Sequence, residues 1–233
     1  MKIAALLTGK KNSSLKNKNI LKIKNKPIFA FPAIAAKKSK IIDNFFVSSD
    51  SKYILNHCHK LGYKRISRPK RLASRNSKHY DVLLHALKYM KKENYYPDIL
   101  VVLLANAPVI KTKWINECIK KIRKNKNLTA VVPVVLNNDH NPLRAKKIVN
   151  GYIRNFNKTK KNISSNRQDL EESFFLCHNF WVLKVKSLLE NNGEAPWSFL
   201  GKKVKSYIVP VSIDIHNKLD YEIAKIILKD GKF

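Results

Sequence analysis

Cysteine is scarce in this chain, and long apolar runs are absent. The three cysteines, Cys58, Cys118 and Cys177, are too few and too widely spaced for a disulfide framework or a zinc site. Their scarcity is typical of a reducing compartment, so we expect a cytoplasmic protein. No apolar run reaches the roughly 18 residues that a helix needs to span a bilayer. The N-terminal apolar run is too short for a secretory signal, so no membrane association is expected.

Acidic residues are also few. The chain carries 16 Asp and Glu against 47 Lys and Arg, a net charge of +31. Such an excess normally indicates nucleic-acid binding. Here the lysines spread along the whole chain without a basic tail, and no interleaved aromatic signature for RNA or DNA is visible. Lys, Asn and Ile share A/T-rich codons, so genomic base composition explains much of the charge. Attraction to anionic substrates is still expected.

Apolar residues make up 44% of the 233 residues, enough for the core of one large domain. Short apolar runs of strand length alternate with segments of helix length. The predicted strands cover residues 2–7, 44–48, 63–67, 99–104, 130–136 and 204–209. The predicted helices cover residues 27–38, 51–61, 80–92, 114–124, 186–190 and 219–228. This alternation predicts a doubly wound α/β fold with a mostly parallel sheet, whose ligands bind beyond the carboxyl ends of the strands.

The alternation changes at about residue 137. Asn150-Gly151 predicts a hairpin turn between residues 145–149 and 152–156. An aromatic, strand-like segment follows at residues 174–183. No repeat and no clear domain boundary are visible. We therefore expect one domain, residues 1–233, that carries an inserted β-rich segment at about residues 137–183.

The first predicted strand leads into a basic loop. Thr8-Gly9 ends the strand, and lysines, asparagines and serines follow up to Lys18 and Asn19. Backbone N–H groups and ammonium groups in such a loop can converge on a polyphosphate. The alternative is a solvated turn, because a basic run usually faces solvent.

A series of short segments resembles the acylneuraminate (CMP-sialic acid) cytidylyltransferases over essentially the full length of the chain. Each segment alone is weak, whereas their order and spacing together are fairly specific. The segments are Leu6-Leu7, Asn12-Ser13, Lys18-Asn19, Val47-Ser48-Ser49-Asp50, Arg68-Pro69, Leu72-Ala73-Ser74, His85-Ala86-Leu87, Leu103-Leu104 with Pro108, His140 with Pro142-Leu143-Arg144, Arg167-Gln168, Asn179, and Ser212-Ile213-Asp214-Ile215.

The resemblance implies a nucleotide-diphospho-sugar transferase-like α/β fold and transfer of a cytidylyl group from CTP to a nonulosonic acid, a nine-carbon α-keto acid sugar. The sugar's anomeric hydroxyl would attack the α-phosphorus, and pyrophosphate would leave. The resemblance also implies Mg²⁺ as cofactor and a homodimer in which the inserted segment reaches toward the neighbour. The alternatives are an enzyme for a different acid sugar, such as an octulosonic acid, or for another nucleotide, and a basic nucleic-acid-binding protein.

The same resemblance assigns roles to individual residues. Lys18 and Asp214 are the predicted catalytic residues, and Asp214 with His216 is the predicted Mg²⁺ site. The predicted nucleotide-binding residues are Leu7, Gly9, Lys10, Asn12, Ser13, Asn19, Arg68, Leu72, Ala73 and Ser74. The predicted sugar-binding residues are Asn106, Arg144, Arg167, Gln168, His178 and Asn179. A guanidinium among them is shaped to hold the sugar's carboxylate in two parallel hydrogen bonds.

Three positions depart from the family pattern. Gly9 stands where the family has an arginine, so Lys10 or Lys11 would have to replace it. His216 stands where the family has a second metal carboxylate, and imidazole is a poorer Mg²⁺ ligand. The loop at residues 105–107 is one residue shorter and lacks the expected glutamine. These departures predict a divergent branch with a different sugar or reduced activity.

Some of these residues also have a plainer interpretation. Asp214 alone could be a surface carboxylate or a helix cap, although its alternation with Ile213 and Ile215 puts it on the face opposite them. His178 lies among aromatic residues and could be a core histidine. Arg167 could form a surface pair with Asp169, which would be worth little energetically.

Overall fold

The structure is a computed structural model that describes residues 1–11, 15, 17–74, 76–157 and 163–231. The strands are β1 (Ile3–Gly9), β2 (Lys22–Ile23), β3 (Lys26–Pro27), β4 (Asn44–Ser49), β5 (Lys64–Ser67), β6 (Ile99–Leu104), β7 (Ala130–Leu136), β8 (Lys146–Val149), β9 (Tyr152–Asn155), β10 (Phe174–Leu176), β11 (Phe180–Lys184) and β12 (Val204–Ile208). The helices are α1 (Ala30–Lys37), α2 (Lys52–Lys60), α3 (Lys70–Ala73), α4 (His79–Lys92), α5 (Thr112–Lys124), α6 (Val185–Glu190) and α7 (Lys218–Asp230). Each predicted helix and strand outside residues 174–183 is present, with its ends within three residues of the prediction.

One large sheet forms the centre of the molecule. Its strands β5, β4, β1 and β6 are parallel neighbours in that order. Beyond β6, the strand β11 runs antiparallel and pairs with both β6 and β7, and β12 lies parallel to β7. The predicted doubly wound, mostly parallel α/β fold is therefore confirmed. The chain leaves β1 for β4 on one side and reaches β6 on the other, which is the strand order that opens a crevice at the carboxyl ends.

Both faces of this sheet are covered by helices. Alternate residues of β1 show this, because Ile3, Ala5 and Leu7 pack in one apolar cluster with α1, α2 and α5. Ala4 and Leu6 point to the other face and pack with α4 and α6. These five residues of β1, from Ile3 to Leu7, are essentially inaccessible to solvent. An apolar run such as β1 is the expected sequence for a parallel strand buried on both faces.

The predicted strand at residues 174–183 is wrong as one continuous element. Its first part, β10, pairs with the end of β7, whereas β11 pairs with β7 in a different register. Between the two registers, residues 177–181 face only residues 132 and 133 of β7. The extra residues form a β-bulge, and β-bulges near binding sites change the direction of side chains. Here the bulge directs His178 toward the carboxyl ends of the parallel strands.

The predicted hairpin is present within the segment that was expected to be an insertion, whereas β10 and β11 of the same segment belong to the large sheet. Strands β8 and β9 pair antiparallel with each other and form a separate two-stranded sheet. All eight of their residues are exposed to solvent. Within the described ranges, no helix combines the length and the apolar character needed to cross a membrane.

Candidate active site

A cavity of about 1000 Å³ opens at the carboxyl ends of the parallel strands. It extends from the loops after β1 and β5, across the end of β6, to the bulge before β11. The lining residues are Thr8, Gly9, Lys10, Lys18, Asn19, Arg68, Ala73, Ser77, His79, Val82, Leu104, Asn106, His178, Trp181, Trp197, Asp214 and His216. The location agrees with the sequence-based expectation that the loops after the strands share one cleft.

The loop after β1 packs tightly against the end of β6. A Cβ atom added to Gly9 would lie 2.8 Å from the Cβ of Ala105, so this position requires a residue without a side chain. The next residue, Lys10, donates from Nζ to the carbonyl of Ser74 at 2.8 Å, and its own carbonyl accepts from Asn19 Nδ2 at 2.8 Å. Burial lowers the pKa of Lys10, and the nearby Arg68 lowers it further. Two cations thus share this end of the cavity.

Lys18 links this loop to the C-terminal part of the chain. Its side chain is 6% exposed, and its Nζ donates to the carbonyl oxygen of Ile215 at 2.6 Å. Burial lowers the pKa of Lys18, whereas the negative charges of Asp214 and Asp220 raise it. An ammonium group has three N–H donors, so two remain for other acceptors in the cavity.

Arg68 follows β5 and lies in the cavity wall. Its Nη2 donates to the carbonyl of Ser48 at 2.7 Å, and its Nε donates to the Ser48 hydroxyl at 3.3 Å. Burial lowers the pKa of Arg68 to about 10, so the guanidinium stays positive at neutral pH. A buried guanidinium with donors to spare is suited to bind phosphate or another planar anion.

Asp214 lies opposite these cations, between two imidazoles. Its Oδ2 is 2.9 Å from His216 Nε2 and 3.6 Å from His178 Nδ1, and its Oδ1 accepts from Asn106 Nδ2. The backbone N–H of Ile215 also donates to the Asn106 carbonyl, at 3.0 Å, which fixes this segment against the loop after β6. Burial raises the pKa of Asp214, and the neighbouring His216, Lys18 and His178 oppose that shift.

The direction of the Asp214 side chain follows from its neighbours. Ile213 and Ile215 pack into apolar clusters, Ile215 together with Ile23 and Ala224, so the residue between them faces the cavity. The alternation in the sequence predicted this orientation. The next residues, His216 and Asn217, lie directly before α7. Asn217 and Asp220 form a capping box, in which each side chain accepts a hydrogen bond from the other residue's backbone N–H.

The donor set fits a Mg²⁺ ion held through one carboxylate. Mg²⁺ commonly takes one or two protein carboxylates and completes its shell with substrate phosphates and water. The half-buried Asp214 carboxylate would be stabilised by such a cation, because burial disfavours its charged form. The imidazole of His216 is a weaker ligand for this ion. Among the described residues, no group of three His, Cys, Asp or Glu side chains could hold a metal by itself.

The cavity includes functional candidates that the sequence did not indicate. His79, the first residue of α4, lies 3.1 Å from the Thr8 hydroxyl through its Nε2, and Thr8 donates onward to the Leu103 carbonyl. Burial lowers the pKa of His79 to about 3, so its ring is neutral at physiological pH. Trp181 and Trp197 also line the cavity. The aromatic composition of residues 174–183 was a signal for Trp181, whereas no sequence pattern marked His79 or Trp197.

The predicted site residues divide into three groups. Those that line the cavity are Gly9, Lys10, Lys18, Asn19, Arg68, Ala73, Asn106, His178, Asp214 and His216. Those that lie elsewhere are Leu7, Leu72 and Asn179, which are buried, and Ser74, Arg144, Arg167 and Gln168, which are exposed. Asn12 and Ser13 lie outside the described residues.

The residues away from the cavity have other partners. Asn179 donates to the Val109 carbonyl and fixes the bulge, and the Ser74 carbonyl accepts from Lys10. Arg167 pairs with Asp139 at 3.0 Å. The alternative interpretation, a surface ion pair of Arg167, therefore holds within a single chain, but the partner is Asp139 rather than Asp169.

Comparison with known proteins supports the resemblance to cytidylyltransferases. A model of the cytidylyltransferase family matches residues 11–176, more than half of the chain. The chain is 27% identical to post-translational flagellin modification protein B of Campylobacter coli, over 94% of this chain and 91% of that protein. It is 24% identical to the pseudaminic acid cytidylyltransferase of Campylobacter jejuni subsp. jejuni serotype O:23/36 (strain 81-176), over 91% of this chain and 89% of that protein.

A solved structure shares the fold. It is a CMP:2-keto-3-deoxy-manno-octonic acid synthetase in complex with CTP, with a TM-score of 0.73 and 15% identity over 99% of this chain and 100% of that one. At this identity the likeness shows the fold alone. The family model covers β2 to β10 together with Lys18 and Arg68 of the cavity, so this chain belongs to the cytidylyltransferase family.

Proposed function

We propose that this protein transfers the cytidylyl group of CTP to the anomeric hydroxyl of a nonulosonic acid. The observation that carries the proposal is the 2.6 Å hydrogen bond from Lys18 Nζ to the Ile215 carbonyl, across 197 residues of sequence. It brings the basic loop and the Asp214 carboxylate into one cavity. Pseudaminic acid, named for the Campylobacter jejuni relative, is a nonulosonic acid and supports this acceptor class.

The reaction is a substitution at phosphorus. The anomeric oxygen forms a bond to the α-phosphorus, the bond from that phosphorus to the pyrophosphate oxygen breaks, and the hydroxyl proton passes to water. Catalysis of this kind depends on alignment and on neutralisation of charge at the phosphate oxygens. The chain supplies both through groups fixed before the substrate arrives.

The nucleotide binds in the cationic half of the cavity. Lys10, Lys18 and Arg68 lie there, on the loops after β1 and β5. Lys18 keeps two N–H donors for phosphate oxygens while its third holds the Ile215 carbonyl. Arg68 is fixed by its two bonds to Ser48, so its orientation is set without the ligand. The acid sugar then occupies the half that adjoins β6 and β11, with Asn106, His178 and Asp214 around it.

Mg²⁺ is the cofactor that this donor set favours, with Asp214 as its carboxylate ligand. When bound, the ion would neutralise charge on the phosphate oxygens. Asn106 and His216 hold the two Asp214 oxygens in the direction of the cavity, so the carboxylate is oriented in advance. His216 acts here as a positioning residue, because imidazole is a weak ligand for Mg²⁺.

The hairpin of β8 and β9 supports a homodimer. The directly paired Ile148 and Ile153 are 77% and 69% exposed, and Tyr152 and Phe156 beside them are also exposed. A two-stranded hairpin is marginally stable alone, and exposed apolar clusters indicate interaction surfaces. We infer that a second copy covers it. The predicted sugar contacts Arg144, Arg167 and Gln168 belong to the same segment, so they would reach a sugar only in the partner's cavity.

A panel of nucleotides and acid sugars tests the proposed function, with pyrophosphate release as the readout. We expect release only with CTP, Mg²⁺ and a nonulosonic acid together. Asp214→Asn should lose most of this rate, whereas the exposed control Glu194→Gln should keep it. Preference for an octulosonic acid would replace the acceptor class, and no release with any acid sugar would overturn the enzyme assignment. A nucleic-acid-binding protein would instead bind duplex DNA with strong salt dependence.

A further inference from the structure

Charged side chains hold one peptide unit, the bond between Ile215 and His216, from both sides. Its carbonyl oxygen, that of Ile215, accepts from Lys18 Nζ at 2.6 Å. Its N–H, that of His216, donates to Oδ2 of Asp220 at 2.8 Å. A peptide unit is planar, so its carbonyl and N–H keep a fixed direction relative to each other. A rotation of this peptide at the Asp220 end therefore also moves the carbonyl that Lys18 contacts.

The two charges stand in the order that the peptide dipole favours. The ammonium group at the carbonyl and the carboxylate at the N–H each form a charge-assisted hydrogen bond, which is stronger than a neutral one. Hydrogen bonds in such a chain polarise one another, so the carboxylate also strengthens the bond on the Lys18 side. Burial lowers the pKa of Lys18, whereas the charges of Asp214 and Asp220 raise it, so Asp220 is close enough to act on the ammonium group.

The contact of Asp220 with His216 goes beyond the cap of a helix. A capping box consists of the two bonds that Asp220 exchanges with Asn217, each 3.0 Å long. The bond to the His216 N–H is additional, because His216 precedes the capping residue. The ring of the same histidine contacts Asp214 Oδ2 at 2.9 Å. Asp220 therefore fixes the backbone of the residue that orients the Asp214 carboxylate.

We propose that Asp220 is a positioning residue for the reaction, which acts through the Ile215–His216 peptide to hold Lys18 and Asp214 in place. The inference rests on the proposed function and adds to it a residue outside the cavity. Asp220 is not among the described residues that line the cavity, so its effect on the reaction passes through the peptide and the two side chains beside it.

Two variants of Asp220 separate the geometry from the charge. Both backbone N–H groups bond the same oxygen, Oδ2, so Asp220→Asn can keep both bonds through its amide oxygen, whereas Asp220→Ala loses them. We expect Asp220→Ala to lower kcat for pyrophosphate release about 10- to 100-fold, the range for groups that orient a metal ligand, with little change in the KM for CTP. Asp220→Asn should restore kcat to within about fivefold of the wild type.

Gly231→Ala is the matched control at the other end of α7. Gly231 has a φ of +65°, and among the described residues an added Cβ would meet no atom within 4 Å. The substitution therefore strains the backbone of the same helix without a new contact. We expect Gly231→Ala and Asp220→Ala each to lower Tm by about 2–4 °C. Gly231→Ala should keep the kcat of the wild type.

The reactivity of Lys18 toward acetic anhydride measures the same link without catalysis. Mass spectrometry gives the acetylation rate of Lys18 relative to that of the exposed Lys22. Asp220→Ala should raise this ratio by about tenfold, because the hydrogen bond that holds the Lys18 ammonium group weakens. Gly231→Ala should leave the ratio unchanged.

Three kinetic results would overturn the inference. They are a kcat of Asp220→Ala within about threefold of the wild type, an Asp220→Asn variant as slow as Asp220→Ala, and an equal loss of kcat in Gly231→Ala. If no acid sugar releases pyrophosphate from CTP, the proposed function fails by itself. The acetylation ratio then decides the present inference: a rise in Asp220→Ala alone supports it, and an unchanged ratio or an equal rise in Gly231→Ala refutes it.

Discussion

Replacement of Lys18 by methionine tests the hydrogen bond between Lys18 and the Ile215 carbonyl. The substitution keeps most of the side-chain volume and removes the ammonium group that donates to the Ile215 carbonyl. A hydrogen bond to a charged group contributes about 1.5–3 kcal/mol. Because 1 kcal/mol shifts Tm by about 2–4 °C in a chain of this size, we expect Lys18→Met to lower Tm by roughly 3–12 °C.

The catalytic loss should be larger than the loss of stability. If Lys18 also donates to phosphate oxygens, its removal should lower kcat by about 10²–10³-fold, the range for loss of one preorganised donor. Pyrophosphate release at saturating CTP measures kcat, at a temperature well below the Tm of the variant. The exposed Lys22→Met removes the same charge nearby and should change neither Tm nor kcat.

Two results would refute the role of Lys18. A Tm within 1 °C of the wild type, roughly a quarter of a kcal/mol, would show that the contact with Ile215 contributes nothing to stability. A kcat that stays within about threefold would show that the ammonium group does not act on the phosphates. The kcat result alone would show that the basic loop takes no part in the chemistry.

Three further predictions follow from other features. Gly9→Ala should cost about 1–3 kcal/mol of unfolding free energy, because the new Cβ meets Ala105, and urea unfolding measures it. His79 has a pKa of about 3 in the folded state against about 6.5 in the unfolded state, so acid favours the unfolded state. From this residue the wild-type unfolding free energy should fall about 1.6 kcal/mol between pH 6.5 and 5, and His79→Asn should show a correspondingly shallower slope. Ile148→Asp with Ile153→Asp should convert a dimer to a monomer in sedimentation experiments without a change in Tm of the isolated chain, since both side chains are exposed.

The sequence alone predicted the sheet because its strands are nearly continuous apolar runs. The alternation with Ile213 and Ile215 predicted the direction of the Asp214 side chain, whereas its role at the site was predicted through the family resemblance. The basic loop that ends at Lys18 was predicted as phosphate-binding from its place after β1, and the family resemblance then assigned Lys18 a catalytic role. The contact of Lys18 with Ile215 depends on how two segments far apart in the sequence pack together, which no local sequence pattern indicates.

The remaining features depend on tertiary packing. His79 lies beside Thr8 only because α4 begins at the carboxyl end of β1, and a single histidine at a helix start carries no signal of that neighbour. The bulge at residues 177–181 is a change of register between two strand pairings, so the aromatic run looked like one strand. Arg144 and Arg167 were assigned to the sugar by resemblance, yet in a single chain they lie outside the cavity.

The bond between Lys18 and Ile215 also bears on how the protein matures on the ribosome. The lysine is made well before its carbonyl partner and the adjacent carboxylate, which emerge nearly two hundred residues later. A nascent chain can therefore assemble every strand of the large sheet and still lack one side of its pocket. Chemistry should begin only after residues 214–215 have docked, so a partly synthesised copy holds no working site.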